Sequence, residues 1–460
     1  MEVLQKIRIF NFVARAIITN ITTKIFMGKL FTLLLFFVGL VIALLLVFNT
    51  FGNTSKQIQP TTSPELLTLR DTTLFEEATM LPTQSAEDYR NYNQWVKKKF
   101  NRLFANANME WQTFDKYSLV GKWIGRNSSL APLVLVASPT ALLQDTNIAA
   151  AQNSTLLTGA NLQSSKMASV ALLSALQTLV KTDVLPARTL YVVFPHEVAT
   201  EKRIVQALST LKQAPYLILK TGGGVVENGF WEIDQPIGLI GVGNKVKQEA
   251  TYRLVHKEGL AYLLDHIDEQ ATPLVVEHPV VKDFVYYLSP ATTFGKRMLW
   301  SNPFFLGSWQ RSNLEQNPIS NHYLDRTYRW TASADSTNTK RVTIQAYTQQ
   351  PLPADWAAIG MLKTIRLVEQ LPSQPAAQHI SSTNSPTYRL INTTCKEIFE
   401  GALTAPCLVA DPLLASYASI SPEVYYFSPI YHQVAQPIPP EELQKAVQFY
   451  YRLLETTLIE

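Results

Sequence analysis

Cysteine is almost missing from this chain: only Cys395 and Cys407 stand among its 460 residues. That excludes a disulfide-stapled scaffold and any zinc module built on cysteine. The two residues either form one bridge in an oxidising compartment or stay as thiols. Charge is scarce too, with Asp, Glu, Lys and Arg making up 17% of the chain and a net charge of +4. Much of the basic excess sits at the N-terminus rather than in a patch or stripe, which excludes a nucleic-acid-binding footprint. There is no internal repeat, no G-x-x-x-x-G-K-[ST] phosphate loop and no G-x-S-x-G nucleophile elbow. Apolar residues, in contrast, are plentiful. A hydrophobic share of 47% and an aromatic share of 10% exclude a disordered chain. At this length they support two domains, or one domain carrying an insertion.

Residues 30–48 (LFTLLLFFVGLVIALLLVF) contain no charge. As a helix this run rises about 28 Å, close to the thickness of a bilayer core. Lys6, Arg8, Arg15, Lys24 and Lys29 precede it, against the single acid Glu2, and only Lys56 follows closely. The positive-inside rule therefore predicts a cytoplasmic basic leader (1–29), a transmembrane helix (30–48) in contact with membrane lipid, and everything later on the far side. The run is long for a signal-peptide core and no A-x-A cleavage site follows it, so an uncleaved anchor is expected. Low cysteine use and the short leader favour a bacterial inner membrane with a periplasmic domain over a eukaryotic luminal or extracellular one.

Past a polar linker (49–64, with Gly and Pro), apolar runs alternate with helical patterns. Helices are expected at 86–104, 168–180 and 201–211, and buried strands at 132–137 (PLVLVA), 189–194 (TLYVVF) and 216–219 (YLIL). This alternation indicates a layered α/β domain. The pattern changes near Gly241: a strand at 250–255, aromatic-rich helices through 259–330, and an edge or half-exposed strand at 341–347 (RVTIQAY). Helix is expected again at 354–370, a loop at 371–386, a strand at 424–427 and a long helix from 440 to 457.

The order of these landmarks resembles the zinc-dependent aminoacylase and carboxypeptidase family, its glycine-X carboxypeptidase (carboxypeptidase S-like) branch in particular. The likeness runs from about residue 75 to the C-terminus. It is carried by GKWIGRNSSLAPLVLVAS, TGANLQSSKMASVALLSALQTL, ARTLYVVFPHE, ILKTGGGVVENG, GKRMLWSNPFFLGSW, NPISNHYLDRTYRWTA and VYYFSPIY, in order and at nearly the family's spacings. The resemblance implies a peptidase-like domain in two parts, 65–241 and 351–460, with an α+β lid inserted at 242–350. It also implies two zinc ions bridged by a carboxylate, a glutamate general base, attack of water on an amide, and pairing of two copies through the lid.

The residues that would do this chemistry are replaced. The family's H-x-D falls on Ser138 and Thr140, and the aspartates of D-D-K on Ser164 and Ser165, leaving Lys166. The Glu-Glu pair that supplies base and ligand falls on Val198 and Ala199, leaving His196 and Glu197. The aspartate of L-D-E-G-G falls on Lys220, which places a cation where a dication would bind. The closing T-D-S-R motif is represented by Ala410 and Asp411, with no histidine at the late-ligand position. Zinc needs imidazole nitrogen or carboxylate oxygen, and neutral hydroxyls are weak substitutes.

These losses predict a membrane-anchored pseudoenzyme with no zinc and no catalytic residues. It would act by binding a peptide, an acyl amino acid or a protein partner. Two rivals are an active metal-dependent amidohydrolase with a site rebuilt on His196 and Glu197, and a structural subunit of a membrane complex. Lys166 and Lys220, with Asp145, are expected to form a salt-bridged plug in the old site. Gly222, Gly223 and Gly224 read as a tight turn rather than an anion cradle. The stripe Trp300, Phe304, Phe305 and Trp309 reads as lid core or as a partner or lipid surface. Asn53, Asn127, Asn153 and Asn392 lie in N-x-[ST] sequons.

Overall fold

The computed structural model describes residues 29, 31–50, 73–83, 85–139, 160–182, 185–226, 233–254, 259–269, 273–334, 340–353, 365–374, 379–431 and 440–459. Residues 1–28 of the leader, most of the linker, Asp145, Asn53, Asn153 and the part 354–364 of the helix expected at 354–370 lie outside them.

Helix α1, Phe31–Thr50, is 20 residues long and apolar enough to cross a bilayer, a description that a membrane span and a signal sequence both meet. Most of its leucines and phenylalanines are exposed, and only its last turn, with Leu46 half-buried and Thr50 buried, meets the rest of the described chain. Three short helices then lead into the main body: α2 (Thr73–Met80), α3 (Ala86–Lys99) and α4 (Asn101–Ala105). A capping box starts α3, because Ser85 Oγ accepts from Asp88 N while Asp88 Oδ2 accepts from Ser85 N. Lys97, Lys98 and Lys99 suit the negative end of its dipole.

The main body is built on a nine-stranded mixed sheet. Its strands are β1 (Met109–Phe114), β2 (Ser118–Trp123), β3 (Leu133–Val136), β4 (Leu190–Phe194), β5 (Leu217–Lys220), β6 (Gly224–Val226), β7 (Ile237–Asn244), β12 (Leu403–Val409) and β13 (Val424–Tyr426). They run in the order β1-β2-β4-β3-β5-β13-β7-β12, with β6 alongside β7. Strands β4, β3, β5 and β13 are parallel. Every residue of β3 and β5 is buried, which explains why these strands are continuous apolar runs rather than alternating ones. One face of the sheet is covered by α5 (Ala160–Lys181), among other helices; the other is covered by α6 (Val198–Leu208).

A second, four-stranded antiparallel sheet has the order β11-β8-β10-β9: β8 (Val246–Leu254), β9 (Thr327–Ala334), β10 (Lys340–Thr348) and β11 (Ile365–Gln374). It has its own small core with α7 (Gly259–Glu269), in which Leu263 and Ile267 pack on Tyr252, Val342 and Ile344. The intervening helices α8 (Pro279–Leu288), α9 (Phe294–Ser301) and α10 (Pro303–Gln316) contribute Phe284, Trp300 and Leu314 to the main core instead.

The strands and helices expected in the first half are present, shifted by a few residues. The expected edge strand at 341–347 lies inside the small sheet, between β8 and β9. Residues 365–374, expected as helix and loop, form the edge strand β11. Ile365, Val368 and Leu371 recur at helical spacing, but backbone pairing with β8 overrides that local pattern. Helix α11 (Pro386–Ile398) follows, then α12 (Leu414–Ala418) and the long C-terminal α13 (Pro440–Leu458). Both cysteines are free and buried, which resolves the open alternative in favour of two thiols.

Candidate functional site

The C-terminal ends of β3, β4 and β5 lie side by side. Val136 of β3 is in register with both Val193 of β4 and Lys220 of β5. Ser138 is two residues beyond Val136, and its Oγ donates to Pro195 O at 2.9 Å. Helix α5 reaches the same place from the other face, where Ser169 Oγ donates to Ala137 O at 3.2 Å. Ser164 and Ser165 are about one turn nearer the helix start. Thr140 is outside the described residues. Ser138 and Lys220 thus stand at the ends of neighbouring strands.

Lys220 dominates this edge. Its side chain points to the α6 face and is 7% exposed, and Glu201 is fully buried beside it. Lys220 Nζ donates to Glu201 Oε1 at 2.5 Å and to Asp411 Oδ2 at 2.6 Å. Tyr417 of α12 donates its hydroxyl to the same Glu201 oxygen at 2.6 Å, and its ring lies under the ammonium at 5.4 Å. Asp411 is fixed in turn: its Oδ1 accepts from Leu413 N, and its own N–H donates to Asn244 Oδ1. One buried cation thus faces two carboxylates. Burial pushes the Glu201 carboxyl above its usual range, against the pull of Lys220. Lys220 itself is held above the ordinary lysine value, because Asp411 and Glu201 together outweigh the burial that pushes it down. The Tyr417 hydroxyl is held well above its usual value by burial and by Glu201. Glu201 Oε2 has no hydrogen-bond partner among the described residues.

The expected plug joined Lys220 with Lys166 and Asp145; Asp145 lies outside the described residues, and Lys166 is corrected. Lys166 lies on the opposite face of the sheet, on α5, and donates to the carbonyls of Leu81 and Thr79. Burial lowers its pKa, with Asp88 acting against that shift. Glu201 escaped notice in the sequence. The available signal was its place on the apolar stripe Glu201, Ile204, Val205, Leu208 of α6, where an acid needs a buried partner.

His196 and Glu197 sit in the turn between β4 and α6. His196 Nδ1 bonds Ser118 Oγ at 2.8 Å, and its backbone N–H donates to the same oxygen at 3.1 Å. The ring stands edge-on to Tyr89 and Tyr117, each at 5.4 Å. Glu197 Oε1 is 3.6 Å from His196 Nε2 and accepts from Thr200 Oγ1. Burial lowers the His196 pKa, with Glu197 and Asp115 opposing it and Arg203 adding to it. Ser118 is fully buried, so this serine–histidine pair offers no accessible nucleophile. Val198 and Ala199 open α6 and bring no donor atom.

The glycine turn after β5 is a backbone necessity. Gly223 has φ +63°, and a Cβ there would stand 2.2 Å from Leu239 O. The Gly222 N–H is already bonded to Ser428 Oγ, so the loop is not an open anion cradle.

No protein-family model matches the chain. Two curated proteins align with most of it. The N-fatty-acyl-amino acid synthase/hydrolase PM20D1 of Xenopus tropicalis is 19% identical over 424 residues, covering 81% of this chain and 82% of the relative. Its human counterpart is 20% identical over 414 residues, covering 79% and 82%. Among solved structures, the di-peptidase Dug1p from Saccharomyces cerevisiae superposes with a TM-score of 0.50 at 6% identity, covering 84% of this chain and 95% of that one. The chain has the M20 metallopeptidase/amidohydrolase fold. At these identities the likeness extends to architecture and distant relationship, and the side chains decide the rest.

Those side chains do not suit a pair of divalent ions at the strand ends of this M20 fold. Among the described residues, no three His, Cys, Asp or Glu side chains come together as a ligand set. Two carboxylates at this edge, Glu201 and Asp411, are both engaged by the Lys220 ammonium. A dication brought there would meet a fixed positive charge, and the Coulomb term opposes it.

Proposed function

We propose that this chain is a membrane-anchored M20-fold protein that binds rather than hydrolyses. The observation that carries the reading is the Lys220–Glu201–Asp411 cluster, a buried cation held by two carboxylates on the strand-end edge. Such a cluster supplies the electrostatic balance of the site with protein charge, and its ammonium opposes a dication placed beside it. The bound species is an acyl amino acid or a peptide, the former supported by the likeness to the N-fatty-acyl-amino acid synthase/hydrolase PM20D1. Helix α1 is the anchor, supported by its 20 apolar residues, their exposure and the basic residues before it. The main body then stands on the non-cytoplasmic side, periplasmic in a bacterial inner membrane. The second sheet acts as the lid, and its edge strand β11, with Leu367, Val368 and Leu371 exposed, is the surface through which two copies would pair.

The rival reading, a hydrolase rebuilt on His196 and Glu197, is disfavoured by the pairing of His196 Nδ1 with the buried Ser118. The test uses the full chain in detergent with a panel of N-acyl amino acids and dipeptides. Ligand-induced thermal shifts without product by mass spectrometry are expected. Turnover that a chelator abolishes would overturn the proposal in favour of the rebuilt hydrolase.

A further inference from the structure

The aromatic stripe of the 300–309 region divides in the fold. Trp300 is 1% exposed in the main core, whereas Trp309 on α10 is 66% exposed and Phe294, at the start of α9, is 57% exposed. Between the two helices runs an open groove of about 390 Å³, lined by the apolar Met298, Leu299 and Trp309 and the polar Lys296, Ser312 and Asn313.

This groove is tied to one end of α1. Asn302, the residue joining α9 to α10, is 1% exposed, and Thr50, the last residue of α1, is fully buried. Asn302 Nδ2 donates to Thr50 Oγ1 at 3.3 Å and to Leu46 O at 3.5 Å, and Asn302 Oδ1 accepts from Asn49 Nδ2 at 3.2 Å. Asn302 Nδ2 also donates to Met298 O at 2.8 Å, so the same amide holds the last turn of α9. A single buried side chain therefore clamps the α9–α10 junction to the final turn of the apolar helix. That turn is where a spanning helix leaves the hydrocarbon. Phe294 and Trp309 lie eight residues before and seven after the clamp, about 12 Å and 10 Å along their helices.

We infer that the α9–α10 hairpin is a second membrane contact, and that its groove holds a phospholipid of the bilayer that α1 crosses. The acyl chain lies along Met298, Leu299 and Trp309, and the phosphate meets Lys296. Tryptophan favours the boundary between hydrocarbon and headgroups, which accounts for Trp309 left in the open, and Phe294 adds apolar surface that lipid would cover. Lys296 has the sign of charge that a phosphate requires. The docked hairpin fixes the main body against the membrane instead of leaving it free on the 49–64 linker. This inference rests on the reading of α1 as an uncleaved anchor.

The test uses the full chain in phospholipid nanodiscs. Cys395 and Cys407 are fully buried, so a nitroxide can be placed at one introduced cysteine. Three labelled variants are compared: Phe36→Cys within α1, Ser312→Cys in the groove, and Gln206→Cys on α6, across the main sheet. Collision with oxygen, which concentrates in lipid, is measured against collision with a water-soluble nickel chelate. The oxygen-to-nickel ratio at 312 is expected to exceed that at 206 several-fold and to approach the ratio at 36. A lipid-like ratio at 36 with equal, water-like ratios at 312 and 206 overturns the hairpin contact alone. A water-like ratio at 36, or loss of residue 36 from the mature chain by mass spectrometry, overturns the anchor reading and the hairpin with it. Should Ser312→Cys fail to fold, Asn313→Cys in the same groove reports the same comparison.

Discussion

Replacing Lys220 with methionine isolates the charge that organises the strand-end site. Methionine keeps an unbranched stem of similar length and removes only the ammonium. Two carboxylates then remain within reach of one another: Glu201 without a cation and with its Tyr417 bond, and Asp411 with its backbone bond to Leu413. Removing one partner of a buried ion pair costs about 3–5 kcal/mol, because the remaining charge is left uncompensated. With an unfolding entropy of about 2.1 cal/mol/K per residue over roughly 390 residues, that is a fall in Tm of roughly 4–6 °C. The assay is thermal unfolding of the full chain in detergent at neutral pH. A second variant, Lys220→Met with Glu201→Gln and Asp411→Asn, removes all three charges and is expected to recover most of the loss, since neutral replacement of a whole buried cluster is often well tolerated. A single Lys220→Met variant as stable as the parent would refute the reasoning: Lys220 would then not be the counter-ion of a buried acidic pair.

Further outcomes follow from neighbouring groups. The folded state holds the Glu201 proton more tightly than the unfolded chain does, so stability falls as pH rises from about 4.5 towards the raised folded value and is flat beyond it. Glu201→Gln, which cannot titrate, is expected to lose that slope in a series of melts from pH 4 upward; an unchanged slope would assign it to another group. Burial pushes the thiols of Cys395 and Cys407 up to about 12, so neither reacts with a thiol reagent at pH 8 until the protein is unfolded, when two equivalents appear. Gly223→Ala is expected to cost at least about 2 kcal/mol, from its left-handed backbone and the contact with Leu239 O, read as a fall in denaturation midpoint.

The parts of the fold that were legible in the sequence are those whose local pattern and final environment agree. The strands expected at 132–137, 189–194 and 216–219 read as buried because their residues are apolar on both faces, and helices cover both faces of the sheet they form. Helix and strand were confused at 365–374, where Ile365, Val368 and Leu371 mimic a helical stripe on what is the exposed edge of a sheet. Strands β7 and β12 escaped notice because Gly238, Gly241 and Gly243 interrupt the one and Pro406 the other, features that read as turns when the pairing partner is unknown. In the site, Lys220, Ser138 and Asp411 were found through the family likeness. Glu201 and Tyr417 were not, since their roles come from side chains meeting across α6 and α12, separated by 216 positions in the chain.

On the proposed reading, the Lys220, Glu201 and Asp411 charges stand in this M20 fold where a di-metal site would need ligands. The most direct measurement is metal content: purify the full chain in detergent with zinc present, remove loosely held metal, and count zinc per chain by mass spectrometry alongside a melt that shows the protein folded. The expected result is fewer than about 0.1 zinc per folded chain, because intact protein zinc sites keep their metal through such treatment. One or two zinc ions per chain would contradict the account and return the molecule to the metal-dependent hydrolases.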